Sequence, residues 1–124
     1  MPTVNHFDIP VDDVSRAQNF YSKVFGWDMK KVVSMVDSNI ELWMCETQDE
    51  KGIKGISGGF MKRNILPTVT NYIGVTSIDK YLPKINSSGG KITVPKTEIP
   101  GIGFFAMFFD SEKNLFGLFE EKSK

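Results

Sequence analysis

The sequence predicts an α+β fold made of two copies of one module, a strand followed by a helix and three more strands. One observation is that a strand-like run leads into an amphipathic helix near residue 4 and again near residue 69, about half the chain apart. A second is that the helices end in glycine, at Gly26 and at Gly89-Gly90. A third is that three strand-like runs follow each helix. Two such βαβββ modules predict two curved half-sheets that face a shared cleft.

The first module is assigned to residues 1–63. Its first strand, 4–11, alternates, because apolar side chains occupy one face and polar side chains the other. The apolar set is Phe7, Ile9 and Val11, and the polar set is His6 and Asp8. Further strands are expected over 27–33, 40–47 and 55–62, with a polar turn at 34–39 and a charged turn at 48–54.

The first helix is expected to begin at Asp12 or Asp13, since either carboxylate can cap it, and to end at Gly26. Its apolar residues recur at steps of three and four, which predicts a buried stripe. The stripe is Ala17, Phe20, Tyr21, Val24 and Phe25.

The second module is assigned to residues 69–124, after a linker at 64–68. Ser77 is expected to cap its helix, and Pro83 is expected to kink or shorten that helix because proline lacks a backbone N–H. The predicted helical stripe is Ile78, Tyr81, Leu82 and Ile85. Strands are expected over 69–76, 91–97, 103–109 and 115–121, with turns at 99–101 and 110–114. At 124 residues, the two modules form one domain.

Composition excludes several classes of protein. Fifteen Lys and Arg residues balance fifteen Asp and Glu residues, which argues against nucleic acid or a membrane as a partner. No apolar stretch is long enough to span a membrane or has the form of a secretion signal. The single cysteine, Cys45, cannot form an internal disulfide and is expected to be buried and unreactive. We therefore expect a soluble protein of the cytoplasm.

Several strings resemble the vicinal oxygen chelate superfamily, the group of glyoxalases, bleomycin-resistance proteins and extradiol dioxygenases. They are His6-Phe7-Asp8-Ile9-Pro10-Val11, Ala17-Gln18-Asn19-Phe20-Tyr21, Val24-Phe25-Gly26-Trp27, Gly89-Gly90-Lys91, Pro95-Lys96-Thr97, Ile99-Pro100-Gly101 and the segment 110–119. The resemblance covers nearly the whole chain and is greatest to short, uncharacterised glyoxalase-like members. Relatives close the last turn with Asp-Pro-x-Gly-Asn, whereas Ser111 and Lys113 replace the Pro and the Gly here.

The resemblance implies that the two modules form a partly closed, mixed β-barrel around the cleft. Metal enzymes of the superfamily hold a divalent ion there through three or four side chains, taken from the first and last strands of the modules. The resemblance also implies a homodimer, because relatives pair or swap modules and exposed strand edges need cover.

Matching these ligand positions to the sequence yields one good ligand. His6 stands where the first strand supplies one, and an imidazole suits zinc, nickel or iron. The matching position in the second half is Asn71, whose amide is a poor ligand for a transition metal. The last strands offer glycine instead, Gly58 or Gly59 in the first module and Gly117 in the second. One side chain cannot hold a catalytic ion, so no cofactor is expected.

An alternative prediction is that the protein binds a catalytic divalent metal ion. Glu121 has the strand parity of Gly117, and a bulge could turn Glu120 or Glu46 inward to join His6 in binding a divalent ion. The chain would then be a metal-dependent lyase, isomerase or dioxygenase. Without a metal, His6 is either a histidine hydrogen-bonded to Asp8 or Asn71, or an acid, base or ligand contact.

The leading expectation is a metal-free protein that binds a small organic molecule, with no catalytic residue assigned. Six phenylalanines lie on the last two strands, so alternate rings must face opposite sides of the sheet, and one set would line the cleft for an apolar or aromatic ligand. The predicted cleft residues are His6, Asp8, Trp43, Asn71, Phe105, Met107 and Phe119. A third possibility is a protein-interaction module whose apolar sheet face meets a partner chain.

Overall fold

A computed structural model describes residues 2–32, 42–63 and 67–122 of the chain. Across these ranges the chain forms two helices and eight strands, in the order strand-helix-three strands, twice over. The prediction of two βαβββ modules is therefore confirmed. The elements are β1 Thr3–Val11, α1 Val14–Phe25, β2 Lys30–Val32, β3 Leu42–Cys45, β4 Ser57–Lys62, β5 Thr70–Gly74, α2 Ile78–Ser87, β6 Lys91–Ile99, β7 Gly103–Phe109 and β8 Leu115–Glu121.

The chain divides into two compact units, His6–Val69 and Met1–Asn5 with Thr70–Lys124. In the first unit the strands lie in the order β2-β3-β4-β1, with β4 and β1 parallel and the other pairs antiparallel. In the second unit they lie in the order β5-β8-β7-β6, with β5 and β8 parallel. In both units, therefore, the last strand of the module pairs with its first strand.

Some predicted segments fall outside the described residues. They are the polar turn at 34–39, the strand ends at 33 and 40–41, and residues 64–66 of the linker. None of the helices in the described ranges is long and apolar enough to span a membrane.

The ends of α1 follow the sequence closely. Asp13 is the N-cap, and its Oδ1 accepts a hydrogen bond from the backbone N–H of Arg16 at 3.0 Å. Gly26 ends the helix with a left-handed φ of 72°. Both predicted helix ends are confirmed.

The predicted buried stripe of α1 is only partly right. Ala17 and Tyr21 pack on the first core, whose buried residues are Val11, Met29, Cys45 and Phe60. Phe20, Val24 and Phe25 are instead 56%, 56% and 59% exposed, so the prediction is wrong for these three. Only the part of the stripe that contacts this core is covered.

The stripe of α2 is confirmed. Ile78 is completely buried, and Tyr81, Leu82 and Ile85 pack with it on the second core. The buried residues of that core on the sheet are Ala106, Phe108 and Leu118.

Two other predictions for α2 need correction. Pro83 lies inside the helix and does not shorten it, because the helix continues to Ser87. Ser77 occupies the N-cap position without a side-chain cap bond, and the N–H of Ile78 instead donates to Glu120 Oε1 at 2.8 Å. The capping acceptor comes from β8, far away in sequence, so no local pattern could reveal it.

The predicted turn at 110–114 is confirmed and is held by one carboxylate. Asp110 Oδ1 accepts hydrogen bonds from the backbone N–H groups of Glu112 and Asn114, at 2.8 and 2.9 Å. The bond from the Asn114 N–H is the main cause that lowers the pKa of Asp110. Lys113, where relatives carry glycine, has a left-handed φ of 66°.

Replacing Lys113 with glycine is expected to stabilise the protein by about 1 kcal/mol, because glycine adopts a positive φ without the steric penalty of a Cβ. Urea unfolding of the two proteins measures the difference. Glu112→Gly in the same turn is the control, because Glu112 does not have a positive φ and should gain nothing. Equal effects of the two substitutions would contradict this account of the turn.

Candidate functional site

A histidine and a carboxylate lie together on the face of the first sheet that points away from α1. Ile9 and Val11 alternate with them along β1 and pack on the α1 side. His6 Nε2 lies 3.0 Å from Asp8 Oδ1, and the two side chains are 21% and 11% exposed. The prediction that Asp8 and His6 share a face and a hydrogen bond is confirmed.

A glycine on the next strand makes room for this pair. In the parallel register of β1 and β4, Asp8 pairs with Gly59 and His6 with Ser57. A Cβ at Gly59 would lie 3.0 Å from Asp8 Oδ1 and 3.7 Å from His6 Nε2. Gly58 lies on the opposite face, beneath the ring of Phe7. Of the two glycines considered from the sequence, Gly59 is therefore the neighbour of the His6–Asp8 pair.

The donors around His6 do not fit a divalent ion with three or four protein ligands. Its Nε2 is already hydrogen-bonded to Asp8, and Gly59 beside them has no side chain. In the parts of the chain that the structure describes, no three His, Cys, Asp or Glu side chains are placed to hold an ion. Two donors alone compete poorly with water for a metal.

Two glutamates of the alternative metal site, Glu120 and Glu46, have other partners. Glu120 points to the α2 side, where it accepts the Ile78 N–H, and it lies 3.8 Å from Lys96 Nζ. Glu46 is exposed and pairs with Lys54 at 3.6 Å. Glu121 has the predicted parity, since β8 alternates and Glu121 and Gly117 share a face of the second unit.

The phenylalanines of the second unit separate into two sets, as the alternation predicts. Phe104, Phe108 and Phe116 pack against α2 with the second core. Phe105 pairs with Phe119, and Met107 with Gly117, on the opposite face. Phe105, Met107 and Phe119 of the predicted cleft therefore share one face, opposite to the helix. That they form one cleft with His6 stays a prediction.

Trp43 and Asn71 each lie on the strand face opposite to the predicted one. Trp43 pairs with Phe60 and packs with the first core, on the side of α1 and opposite to His6. Asn71 pairs with Phe116, on the α2 side of the second sheet, and is exposed. The cause is strand parity, because an offset of one residue exchanges the two faces of a strand.

The position that corresponds to Asp8 in the second module is Tyr72. Asp8 lies five residues before the cap Asp13, and Tyr72 lies five residues before the cap position Ser77. Tyr72 is 8% exposed and its ring lies over Gly117, its partner on β8. Aligning the two halves on their helix caps, rather than on their strands, would have found it from the sequence.

A surface depression of about 750 Å³ lies in the first unit, and neither His6 nor Asp8 is among its lining residues. Ser57, the β4 partner of His6, and Met44, the β3 partner of Gly59, are among its lining residues. The rest of its lining includes Phe25, Trp27, Asp28, Cys45, Glu46 and Glu50. Its volume is typical of small-molecule sites, but seven of its twelve lining residues are polar or charged and four of them are carboxylates.

Cys45 is buried, as predicted, and burial raises the pKa of its thiol. The thiol form is therefore favoured at neutral pH.

A second depression, of about 460 Å³, lies in the other unit between the start of β1 and the end of β8. Its lining includes Thr3, Asn5, Thr76, Tyr81, Phe119 and Glu121.

Residues 3–39 match a family model described as Bleomycin resistance protein-like N-terminal. A comparison with curated protein sequences found no match. The fold is similar to that of Streptomyces coelicolor methylmalonyl-CoA epimerase in complex with 2-nitronate-propionyl-CoA, with 12% identity, a TM-score of 0.70 and 97% of each chain covered.

Two further solved structures are similar over the same extent. One is a methylmalonyl-CoA epimerase in complex with methylmalonyl-CoA and NH4+, with 12% identity, a TM-score of 0.72, and 99% of this chain and 96% of that chain covered. The other is a hypothetical protein from Bacillus halodurans, with 13% identity and the same TM-score and coverage. At such identities the likeness shows the fold. The match over residues 3–39 and the fold of the whole chain both support the resemblance to the glyoxalase and bleomycin-resistance superfamily.

Proposed function

We propose that this protein binds a small organic molecule beside the His6–Asp8 pair and does so without a catalytic metal. The observation that carries the proposal is the pair itself, a partly exposed imidazole held at 3.0 Å by a nearly buried carboxylate. A buried carboxylate fixes the orientation of the ring and so preorganises a polar contact for a ligand.

The larger depression of the first unit supports the proposal, because it reaches Ser57, the strand partner of His6. It contains the rings of Phe25 and Trp27 and the thioether of Met44, which favour a ligand with an apolar or aromatic part. Ser57 and Met44 of this lining are on the face of the sheet that carries His6 and Asp8, so we expect a ligand in the depression to reach the pair from these two residues.

Calorimetric titration of EDTA-treated protein tests the proposal with two probes, bleomycin and methylmalonyl-CoA. Both are taken from the names of the matching family and of the similar structures. Saturable binding of one probe is expected, weakened about tenfold or more by His6→Ala and by Asp8→Asn, since a hydrogen bond to a charged group contributes about 1.5–3 kcal/mol. Asp79→Asn is the matched control, because this exposed carboxylate on α2 pairs with Lys96.

Amide shifts in NMR spectra extend the test to other ligands. A fragment set of aromatic carboxylic acids and ketones is expected to move the signals of His6, Asp8 and Ser57 before others. If no probe or fragment moves these signals, the proposed site is wrong. Binding that both variants leave unchanged would also contradict it.

The metal-dependent alternative is separated by metal analysis of protein purified without a chelator. The proposal predicts that zinc, nickel and iron remain well below one equivalent in the wild-type protein and in His6→Ala. One equivalent of metal that disappears in His6→Ala would overturn the metal-free proposal and favour a lyase, isomerase or dioxygenase.

The cellular location, the partners and the oligomeric state of the protein are proposed on other grounds. A cytoplasmic location is supported by the free and buried thiol of Cys45, since disulfides are rare in reducing compartments. The equal numbers of acidic and basic residues support the absence of a nucleic-acid or membrane partner. A homodimer is proposed as well.

A further inference from the structure

We infer that a second copy of this chain docks on the outer face of α1, so that two α1 helices pack antiparallel about a two-fold axis. The outer face is defined by five exposed residues at steps of three and four, Asp13, Arg16, Phe20, Lys23 and Val24. This inference does not depend on the proposed ligand site, and it names the surface of the proposed homodimer.

The two helices of the chain provide an internal comparison. Both are amphipathic and both lie on a four-stranded half-sheet, yet α2 has a completely buried residue in Ile78 and α1 has none. The large apolar residues that remain exposed on helices all belong to α1: Phe20, Val24 and Phe25. An apolar surface on one copy of a repeated element, and not on the other, indicates a contact made by that copy alone.

The charges of the outer face are complementary to those of the outer face of a second copy that runs antiparallel to it. Asp13 is at the start of α1 and Lys23 is in its last turn. An antiparallel pair of helices brings the start of one against the end of the other, so each Asp13 meets the Lys23 of the other copy. The helix dipoles of such a pair also oppose each other favourably.

A second contact between the copies, of Arg16 with Phe20, has the same midpoint as the contact of Asp13 with Lys23. Gln18 is the midpoint between Asp13 and Lys23, and it is also the midpoint between Arg16 and Phe20. One two-fold axis on the outer face, level with Gln18 along the helix, therefore sets each Arg16 guanidinium over the Phe20 ring of the other copy, a cation–π contact. Neither the Arg16 nor the Lys23 side chain has an ion pair within the described ranges of its own chain.

The long edge strand β6 is less suited to dimerisation than the outer face of α1. β6 is the outer strand of the second half-sheet, but it contains Pro95 and its pairing with β7 shifts register twice, after Ile92 and after Val94. Proline and bulges on an edge strand block pairing with another strand. A net charge of zero also leaves no overall repulsion between two copies.

Sedimentation equilibrium tests the inference. The contact is smaller than a standard interface, so a weak dimer with a Kd on the order of 0.1 mM is expected. Between about 10 µM and about 1 mM, the mass should therefore rise from 14.0 kDa towards twice that value. Phe20→Glu is expected to raise the Kd at least tenfold. Ile53→Glu is the matched control, because Ile53 is 64% exposed on a loop and should leave the Kd unchanged.

A double-substitution cycle tests the antiparallel arrangement. Lys23→Glu should weaken the dimer, because it sets a second carboxylate against Asp13 of the other copy. Asp13→Asn keeps the N-cap acceptor and removes that repulsion, so the cost of Lys23→Glu should fall at least threefold in the Asp13→Asn background. Circular dichroism confirms that each variant is folded.

Three results would overturn the inference. The first is a constant mass of 14.0 kDa up to about 1 mM. The second is a dimer that Phe20→Glu leaves intact, which would place the contact on another surface. The third is a Lys23→Glu effect that is the same in the wild-type and Asp13→Asn backgrounds, because the helices would then not lie antiparallel.

Discussion

Replacing Phe60 with alanine is expected to destabilise the protein by about 3–5 kcal/mol, the range for a large aromatic side chain removed from a packed core. Phe60 is 1% exposed and is one of the largest completely enclosed side chains of the first core. It pairs with Ile9 on β1 and with Trp43 on β3, and its ring centroid lies 5.7 Å from that of Tyr21 on α1. Its removal leaves a cavity where both layers of the module meet.

Unfolding in urea or guanidinium chloride measures this loss through the midpoint and slope of the transition. Phe109→Ala is the matched control, since Phe109 is 37% exposed at the end of β7 and should cost less than half as much. Because β4 carries Phe60 on one face and Gly59 on the other, the variant should also loosen the His6–Asp8 pair. Equal losses in the two variants would contradict the assignment of Phe60 to the centre of the core.

Replacing Gly103 with alanine is expected to cost about 3 kcal/mol or more, at or above the upper end for overpacked sites. Gly103 starts β7, pairs with Glu121 on β8 and is buried. A Cβ there would fall on the carbonyl oxygen of Glu120 and lie 3.1 Å from the backbone N of Lys122. These are backbone atoms of a paired strand, so they cannot rotate away as a side chain could.

The consequences should extend to α2, because the carboxylate of Glu120 accepts the N–H of Ile78 at the start of that helix. Gly101→Ala is the control. Gly101 has a φ of 80° and nothing within 4 Å of an added Cβ, so only the left-handed backbone penalty of about 1–2 kcal/mol applies. The two variants are compared by chemical unfolding, with the helical signal followed by circular dichroism. A loss for Gly103→Ala no larger than for Gly101→Ala would show that β7 and β8 separate easily.

Local patterns predicted much of the fold correctly. The bounds of β7 and β8 agree with the sequence, as do Asp13 and Gly26 at the ends of α1 and the whole stripe of α2. Each of these features depends on residues a few positions apart, through alternation, capping or helical spacing. The His6–Asp8 pair belongs to the same class, because residues two apart on a strand share a face.

Features set by distant partners were missed. Phe20 and Val24 carry the helical period of a core, but they are more than half exposed and do not pack on it. Trp43 and Asn71 were placed on the wrong strand faces, and Glu120 was considered as a metal ligand although it caps α2. Strand register and layer width depend on contacts between residues far apart in the chain, and alternation along a strand does not say which face is covered.

The sequence by itself determined the duplicated order of elements, the helix ends and the shared face of His6 and Asp8, because these follow from backbone geometry over a few residues. The tertiary structure alone decided that Gly59 backs this pair, that the α1 stripe is half exposed and that a carboxylate from β8 caps α2. Those outcomes depend on which strand lies beside which and on how much surface each layer covers. Pairing and packing between distant segments set both quantities.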